Sequence, residues 1–223
     1  MLYQCSYLLS FPHIFHGFTL RASKDYSFAP KVPAEFWTDL SANVESDVAF
    51  SILSQVHGNS VLYTQNGGLC GEADAFYTDK KGIALVIRTA DCVPILVFSK
   101  DRVAAIHAGW RGLTTDIIEK TVSLIPNPIG AVIGPCIQQS NYEVGEEVVA
   151  QLSIQGIPES LFVDRTKAKP HVSLPHVAQW HLLRSGLPTV EIVDICTFSD
   201  QRFHSYRRDG PKSGRVASFI GLR

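Results

Sequence analysis

Three short segments concentrate side chains able to do chemistry. Gln55-Val56-His57-Gly58 sets an imidazole beside a glycine after a strand-like stretch. Thr89-Ala90-Asp91-Cys92-Val93-Pro94 interrupts two apolar runs with a carboxylate, a thiol and a proline. Val103–Ile106 then runs straight into His107-Ala108-Gly109-Trp110-Arg111-Gly112, the pattern of a strand-to-helix junction. Two imidazoles and one thiolate suit zinc, and three protein ligands leave the fourth tetrahedral position open. A zinc ion so held brings the pKa of water to about 7. His57, Cys92 and His107 are far apart in sequence, and a single His or Cys at a strand end is more often structural. The flanking glycines and Trp110 strengthen the functional reading.

The same atoms admit a second chemistry. Cys92 with His107 as base, oriented by Asp91 or another polar group, could run acyl transfer or deamidation. A Cys–His dyad does not need His57, so metal is favoured. A basic turn, Ser205-Tyr206-Arg207-Arg208-Asp209-Gly210 followed by Gly214-Arg215, offers guanidinium forks for phosphate or carboxylate. Ala73-Asp74-Ala75 puts a carboxylate in an apolar segment, where burial demands a partner. Cys136 in Gly134-Pro135-Cys136-Ile137 reads equally as a packed thiol or a neighbour of the site. Glu143 precedes a helix as a cap or supporting group. His171, His176 and His181 scatter along a third helix and its approach, and the last two do not share a face as a metal pair would.

Positioning these residues requires a layered scaffold. Short apolar runs at Ala84–Ile87, Ile95–Phe98, Val103–Ile106, Ala131–Ile133, Val190–Val193 and Val216–Ile220 read as buried strands. Helical patterns lie between them. One is capped by Thr114 or Thr115 and stopped by Pro126 and Pro128, one runs from Gly145 to Leu152, and one from Ser173 to Gly186. Strands with helices outside give an α/β or α+β layered domain. Asp164–Pro170 reads as an exposed loop within a single domain spanning 1–223. Of 223 residues, 45% are hydrophobic and 18% charged, with a net charge of -1, which is globular and lacks the basic footprint of a nucleic-acid or membrane-surface binder. Five scattered cysteines, no convincing signal peptide and no apolar stretch of spanning length point to a cytoplasmic chain with reduced thiols. Oligomeric state is not encoded in any pattern here.

With these pieces in order, the chain resembles the laccase-domain or YfiH-like family, also called multicopper polyphenol oxidoreductase-like or peptidoglycan editing factor proteins. The three segments above carry the resemblance, together with Ala73-Asp74-Ala75, Ile133-Gly134-Pro135-Cys136-Ile137, Tyr142-Glu143-Val144-Gly145 and Ser205-Tyr206-Arg207-Arg208-Asp209-Gly210. They follow the family's order over about residues 50 to 220. The resemblance implies a layered α/β/β/α domain with mixed sheets, related to a group of cysteine hydrolases. It implies zinc on His57, Cys92 and His107, and phosphorolysis of adenosine, inosine and methylthioadenosine with deamination of adenosine. Substrates would then be a purine nucleoside and phosphate, with Arg207, Arg208, Arg111 and Arg21 as anion contacts and Asp91 or Glu143 relaying a proton. Copper is the weaker expectation, since multicopper sites need paired His motifs and no His-x-His occurs here. An amidase editing peptidoglycan precursors through Cys92 and His107 or zinc, and a non-catalytic metal-binding role, are the alternatives. The N-terminal part departs from the pattern. His16-Gly17-Phe18-Thr19-Leu20-Arg21 fits an opening strand, but Ala22-Ser23-Lys24-Asp25 replaces a Gly-Gly turn, the following loop is short, and Phe203-His204 replaces Phe-Phe.

Overall fold

The computed structural model describes residues 2–21 and 48–223; the unusual turn and loop noted at 22–47 lie outside them. The strands, in chain order, are β1 (Leu2–Tyr3), β2 (Ile14–Thr19), β3 (Ala49–Ser54), β4 (Val61–Tyr63), β5 (Gly68–Glu72), β6 (Ala75–Thr78), β7 (Ile83–Thr89), β8 (Val93–Phe98), β9 (Val103–Ala108), β10 (Gly130–Ile133), β11 (Val163–Asp164), β12 (His171–Val172), β13 (Val190–Ile192) and β14 (Val216–Leu222). The α-helices are α1 (Ser6–Leu9), α2 (Trp110–Leu113), α3 (Ile117–Ser123), α4 (Glu146–Ser153), α5 (Leu174–Arg184) and α6 (Tyr206–Asp209). Two six-stranded sheets form, ordered β1-β2-β14-β7-β3-β5 and β13-β10-β8-β9-β6-β4, with a small β11-β12 ribbon. Both large sheets mix parallel and antiparallel pairs, so the fold is α+β with mixed sheets.

Alternation along the strands builds the layers, because successive side chains face opposite ways. Leu85 and Ile87 of β7 meet Leu96 and Phe98 of β8 and Val103 and Ala105 of β9 in a core between the two sheets. Ile95, Val97, Ala104 and Ile106 point the other way, into a core shared with Ile117, Ile118 and Val122 of α3, Val148, Val149 and Leu152 of α4, and Val177 and Leu182 of α5. Strands β7, β8 and β9 are covered on both faces, which is why they read as continuous apolar runs.

Helix ends follow local chemistry. Ser173 caps α5, accepting the His176 amide, and Gly186 sits just past its C-cap Ser185. The expected Thr114 or Thr115 cap on α3 is corrected: Asp116 holds the N-cap position without a side-chain hydrogen bond. The two threonines instead donate back to the carbonyls of Arg111 and Gly112, ending α2. The expected loop at Asp164–Pro170 is the exposed connection of the β11-β12 ribbon. No described helix is long and apolar enough to cross a membrane.

Candidate metal centre and its pocket

Hairpin β8-β9 fixes two of the three candidate ligands. Its register pairs Val93 with Ala108 and Pro94 with His107, so Cys92, one residue before β8, arrives beside His107. His57 comes from the other sheet, on the loop after β3, with a left-handed φ of 60°. Its ring centroid lies 4.7 Å from that of His107, nearly perpendicular. The ligand atoms of His57, Cys92 and His107 all lie within 4.8 Å of one another. Gly109 makes room: a Cβ there would meet Cys92 Sγ at 3.1 Å and His57 Cδ2 at 3.4 Å.

The carboxylate that orients this centre is Asp74. Fully buried, it accepts from His107 Nδ1 at 2.7 Å and from the backbone amides of Val56, His57 and Gly58. It therefore fixes the His107 tautomer, leaving Nε2 for the cluster, and pins the loop that carries His57. Burial opposes the charge on Asp74, but the His107 bond and the loop amides outweigh it and hold the carboxyl below its usual range. Burial likewise opposes a Cys92 thiolate, yet hydrogen bonds from His107 and His57 bring the thiol down to about 6. Against the lowering effect of burial, Asp74 and Cys92 raise His107 to about 9. Two imidazoles, a ready thiolate, a second-layer carboxylate and a Cβ-free gap fit a metal ion.

Asp91 has another task than orienting His107, which is the correction the geometry makes to the dyad expectation. Its backbone is left-handed, with φ 84°, and His107 Nδ1 is bonded to Asp74 instead. Thr197 Oγ1 donates to it at 2.7 Å and the Arg207 amide at 2.6 Å. Asp91 thus ties the Cys92 turn to α6.

The cluster opens into a cavity of about 590 Å³ that also meets Asp91, Arg88, Arg111, Arg207 and Arg215. Arg207 lies over the Tyr142 ring at 4.9 Å and donates to the Glu143 carbonyl; Arg111 lies over Trp110 at 4.3 Å. Arg208 is not on this wall. Its fork donates to the carbonyls of Thr197, Phe198 and Phe203 and pairs with Asp209. Arg21 pairs with the same Asp209, 3.4 Å away, and also stands outside the lining. Glu143 turns outward to Lys169. Cys136 is buried behind Ile137, which does line the cavity. His181 pairs with Glu119, His176 with Ser173, and His171 bridges to Glu143, all away from the metal cluster. Residue type alone does not mark Arg88 or give Gln55 a role. Gln55 exchanges both side-chain hydrogen bonds with the Arg88 backbone, extending the β3-β7 ladder beyond Ser54. The available signal was an arginine breaking an otherwise apolar strand.

These features define a class: an α+β protein of two mixed sheets, with a His-Cys-His centre opening into an arginine-lined cavity. The family described as multi-copper polyphenol oxidoreductase laccase matches over residues 33–223, and the chain belongs to it. A purine nucleoside phosphorylase of Deinococcus radiodurans is 35% identical over 181 residues, 78% of this chain and 70% of its own length. Purine nucleoside phosphorylase YfiH of Escherichia coli is 37% identical over 178 residues, 76% of this chain and 72% of its own. Among solved structures, YlmD of Geobacillus stearothermophilus superposes with a TM-score of 0.83 at 27% identity, covering 96% of this chain and 93% of that one. The family's description names copper; among the described residues there is one His/Cys-rich cluster of three ligands.

Proposed function

We propose that the chain, acting as one domain, is a zinc-dependent purine nucleoside phosphorylase that also deaminates adenosine and accepts methylthioadenosine. The observation that carries this reading is the cavity that the His57, Cys92 and His107 cluster shares with Arg111 and Arg207. Its volume lies in the range of about 300–1,000 Å³ typical of small-molecule sites, and relatives named purine nucleoside phosphorylase support the substrate class. Bound there, zinc supplies Lewis acidity and activates water near neutral pH. Copper fits less well, because one three-ligand cluster lacks the paired His sets of a multicopper centre.

Arg207 and Arg111, which lie over Tyr142 and Trp110 in the cavity lining, are the phosphate contacts in this reading, since guanidinium forks suit phosphate. In phosphorolysis, phosphate bonds to ribose C1′ as the C1′–N9 bond breaks and the purine leaves with a proton. Arg208 and Arg21 act as positioning residues that hold α6 and Asp209 in place. For deamination, we retain Asp91 over Glu143 as the proton carrier, since Asp91 alone of the two lines the cavity. Incubation with adenosine tests the reading: adenine and ribose 1-phosphate are expected with phosphate, and inosine without it. No product at high enzyme concentration would overturn it.

One observation favours a second reading. Cys92, His107 and Asp74 stand in hydrogen-bonded series, with the thiol brought down to about 6, as a thiol-dependent amidase of cell-wall precursors would require. Activity that survives chelation but is lost in Cys92→Ser would select it. Bound metal with no turnover on either substrate class would leave a metal-binding role.

A further inference from the structure

Behind the pocket wall lies a pair of thiols that the proposed chemistry does not use. Cys136, just past β10, and Cys196, beyond β13, face each other in an isolated parallel bridge. Neighbouring strands sit about 4.7–4.9 Å apart, inside the Cα separation of about 4.4–6.8 Å that a disulfide requires. Directly paired residues also project to the same side of the sheet. Gln138 touches both sulfurs, its amide donating to Cys196 Sγ at 3.4 Å and its side chain to Cys136 Sγ at 3.7 Å. All five cysteines are free thiols.

We propose that Cys196 and Cys136 form an oxidation site, in which hydroperoxide converts Cys196 to a sulfenic acid that Cys136 resolves to a disulfide.

The two thiols are differentiated for these roles. Cys196 is partly exposed and ringed by donors: the Gln138 amide, Asn141 Nδ2 at 3.4 Å, and Ser199. Burial opposes its ionisation, but these donors prevail and hold the thiol below its ordinary value. Cys136 is fully buried, and burial pushes its thiol far up. Cys196 is therefore the attacking thiolate. In the first step its sulfur bonds one peroxide oxygen as the O–O bond breaks; sulfur is oxidised, peroxide is reduced, and hydroxide leaves to become water. In the second, the Cys136 sulfur bonds the Cys196 sulfur as the S–O bond breaks, and the Cys136 proton leaves with that oxygen as water. Two thiols and one hydrogen peroxide give one disulfide and two waters.

The location gives the pair a consequence. Thr197, the next residue after Cys196, donates its amide to the Cys136 carbonyl and its hydroxyl to Asp91. Ile137, the next after Cys136, donates its amide to the Asp91 carbonyl. Oxidation would act on the shell that holds the Cys92 turn, without consuming a metal ligand.

The test is a peroxide titration of the zinc-loaded protein, followed by alkylation of remaining thiols and tryptic mapping. Peptides 121–165 and 185–202 each hold one cysteine, so a link between them is unambiguous. The expected product is that linked pair, reversed by dithiothreitol, forming on the order of tenfold faster than Cys70 oxidises. In Cys136→Ser, a sulfenic-acid probe should label Cys196. Peptide 185–202 staying reduced while Cys70 oxidises, or Cys196 linking elsewhere, would overturn the proposal. The wild-type map decides the matter even where a variant fails to fold.

Discussion

Asp74 collects four donors at once, His107 Nδ1 and the amides of residues 56 to 58. Asp74→Asn is expected to weaken metal binding by about 10- to 100-fold, measured by competition with a chromogenic chelator; unchanged affinity would remove it from the centre's support. Two neighbouring arginines should separate cleanly. Arg207→Ala is expected to raise KM for phosphate by a factor corresponding to about 1.5–3 kcal/mol, leaving thermal stability near that of the wild type. Arg208→Ala removes five side-chain hydrogen bonds, to Thr197, Phe198, Phe203 and Asp209, and should lower the melting temperature instead. Steady-state kinetics beside a thermal melt distinguishes the two. Much of this scale was readable in the sequence, because His, Cys and Arg are chemically distinctive and their flanking glycines mark close approaches. The Asp74–His107 pairing was not, since it depends on β6-β9 register, which no local pattern encodes. Asp91 was harder to place for a related reason: adjacency to Cys92 suggests that it orients His107, whereas its carboxylate accepts from Thr197 and the Arg207 amide.

Among the elements, strands covered on both faces were legible as apolar runs, and α5 was legible from its Ser cap and trailing glycine. Strands β4 and β5 were not, for they are short and half exposed, and Gly68-Leu69-Cys70-Gly71-Glu72 lacks strand-like composition. Strand β2 carries a pH-dependent tie. His16 is buried and its Nε2 accepts the Cys5 amide at 2.9 Å, joining β2 to the approach of α1. Burial lowers its pKa to about 4, whereas an imidazole in the unfolded chain titrates near 6.5. Between those values the unfolded state binds more protons, so stability rises with pH across the window and is level above it. The difference is on the order of 3 kcal/mol. Urea unfolding at pH 5 and pH 7 should show about 2 kcal/mol of it in the wild type and none in His16→Asn; an equal slope in both would refute the assignment.

For the molecule as a whole, the sheet-to-sheet contact leaves no slack where Phe18 of β2 passes the end of β10. A Cβ on Gly134 would lie 2.1 Å from the Phe18 ring. Gly134→Ala is therefore expected to cost about 1–3 kcal/mol, and pairing it with Phe18→Leu should restore part of that loss in denaturant titrations; full additivity of the two would disprove the contact. The order of strands also has a consequence in time. Strand β14, which follows every other strand in sequence, is not at the rim of its sheet but between β2 and β7. It completes two long antiparallel ladders, one of them to residues some two hundred positions earlier. During synthesis, β2 has only the short β1 beside it until β14 has left the ribosome, whereas the β8-β9 hairpin can close early. The thiol and one imidazole of the metal centre can thus meet once β9 has been made, while the sheet that delivers His57 cannot close until β14 has followed.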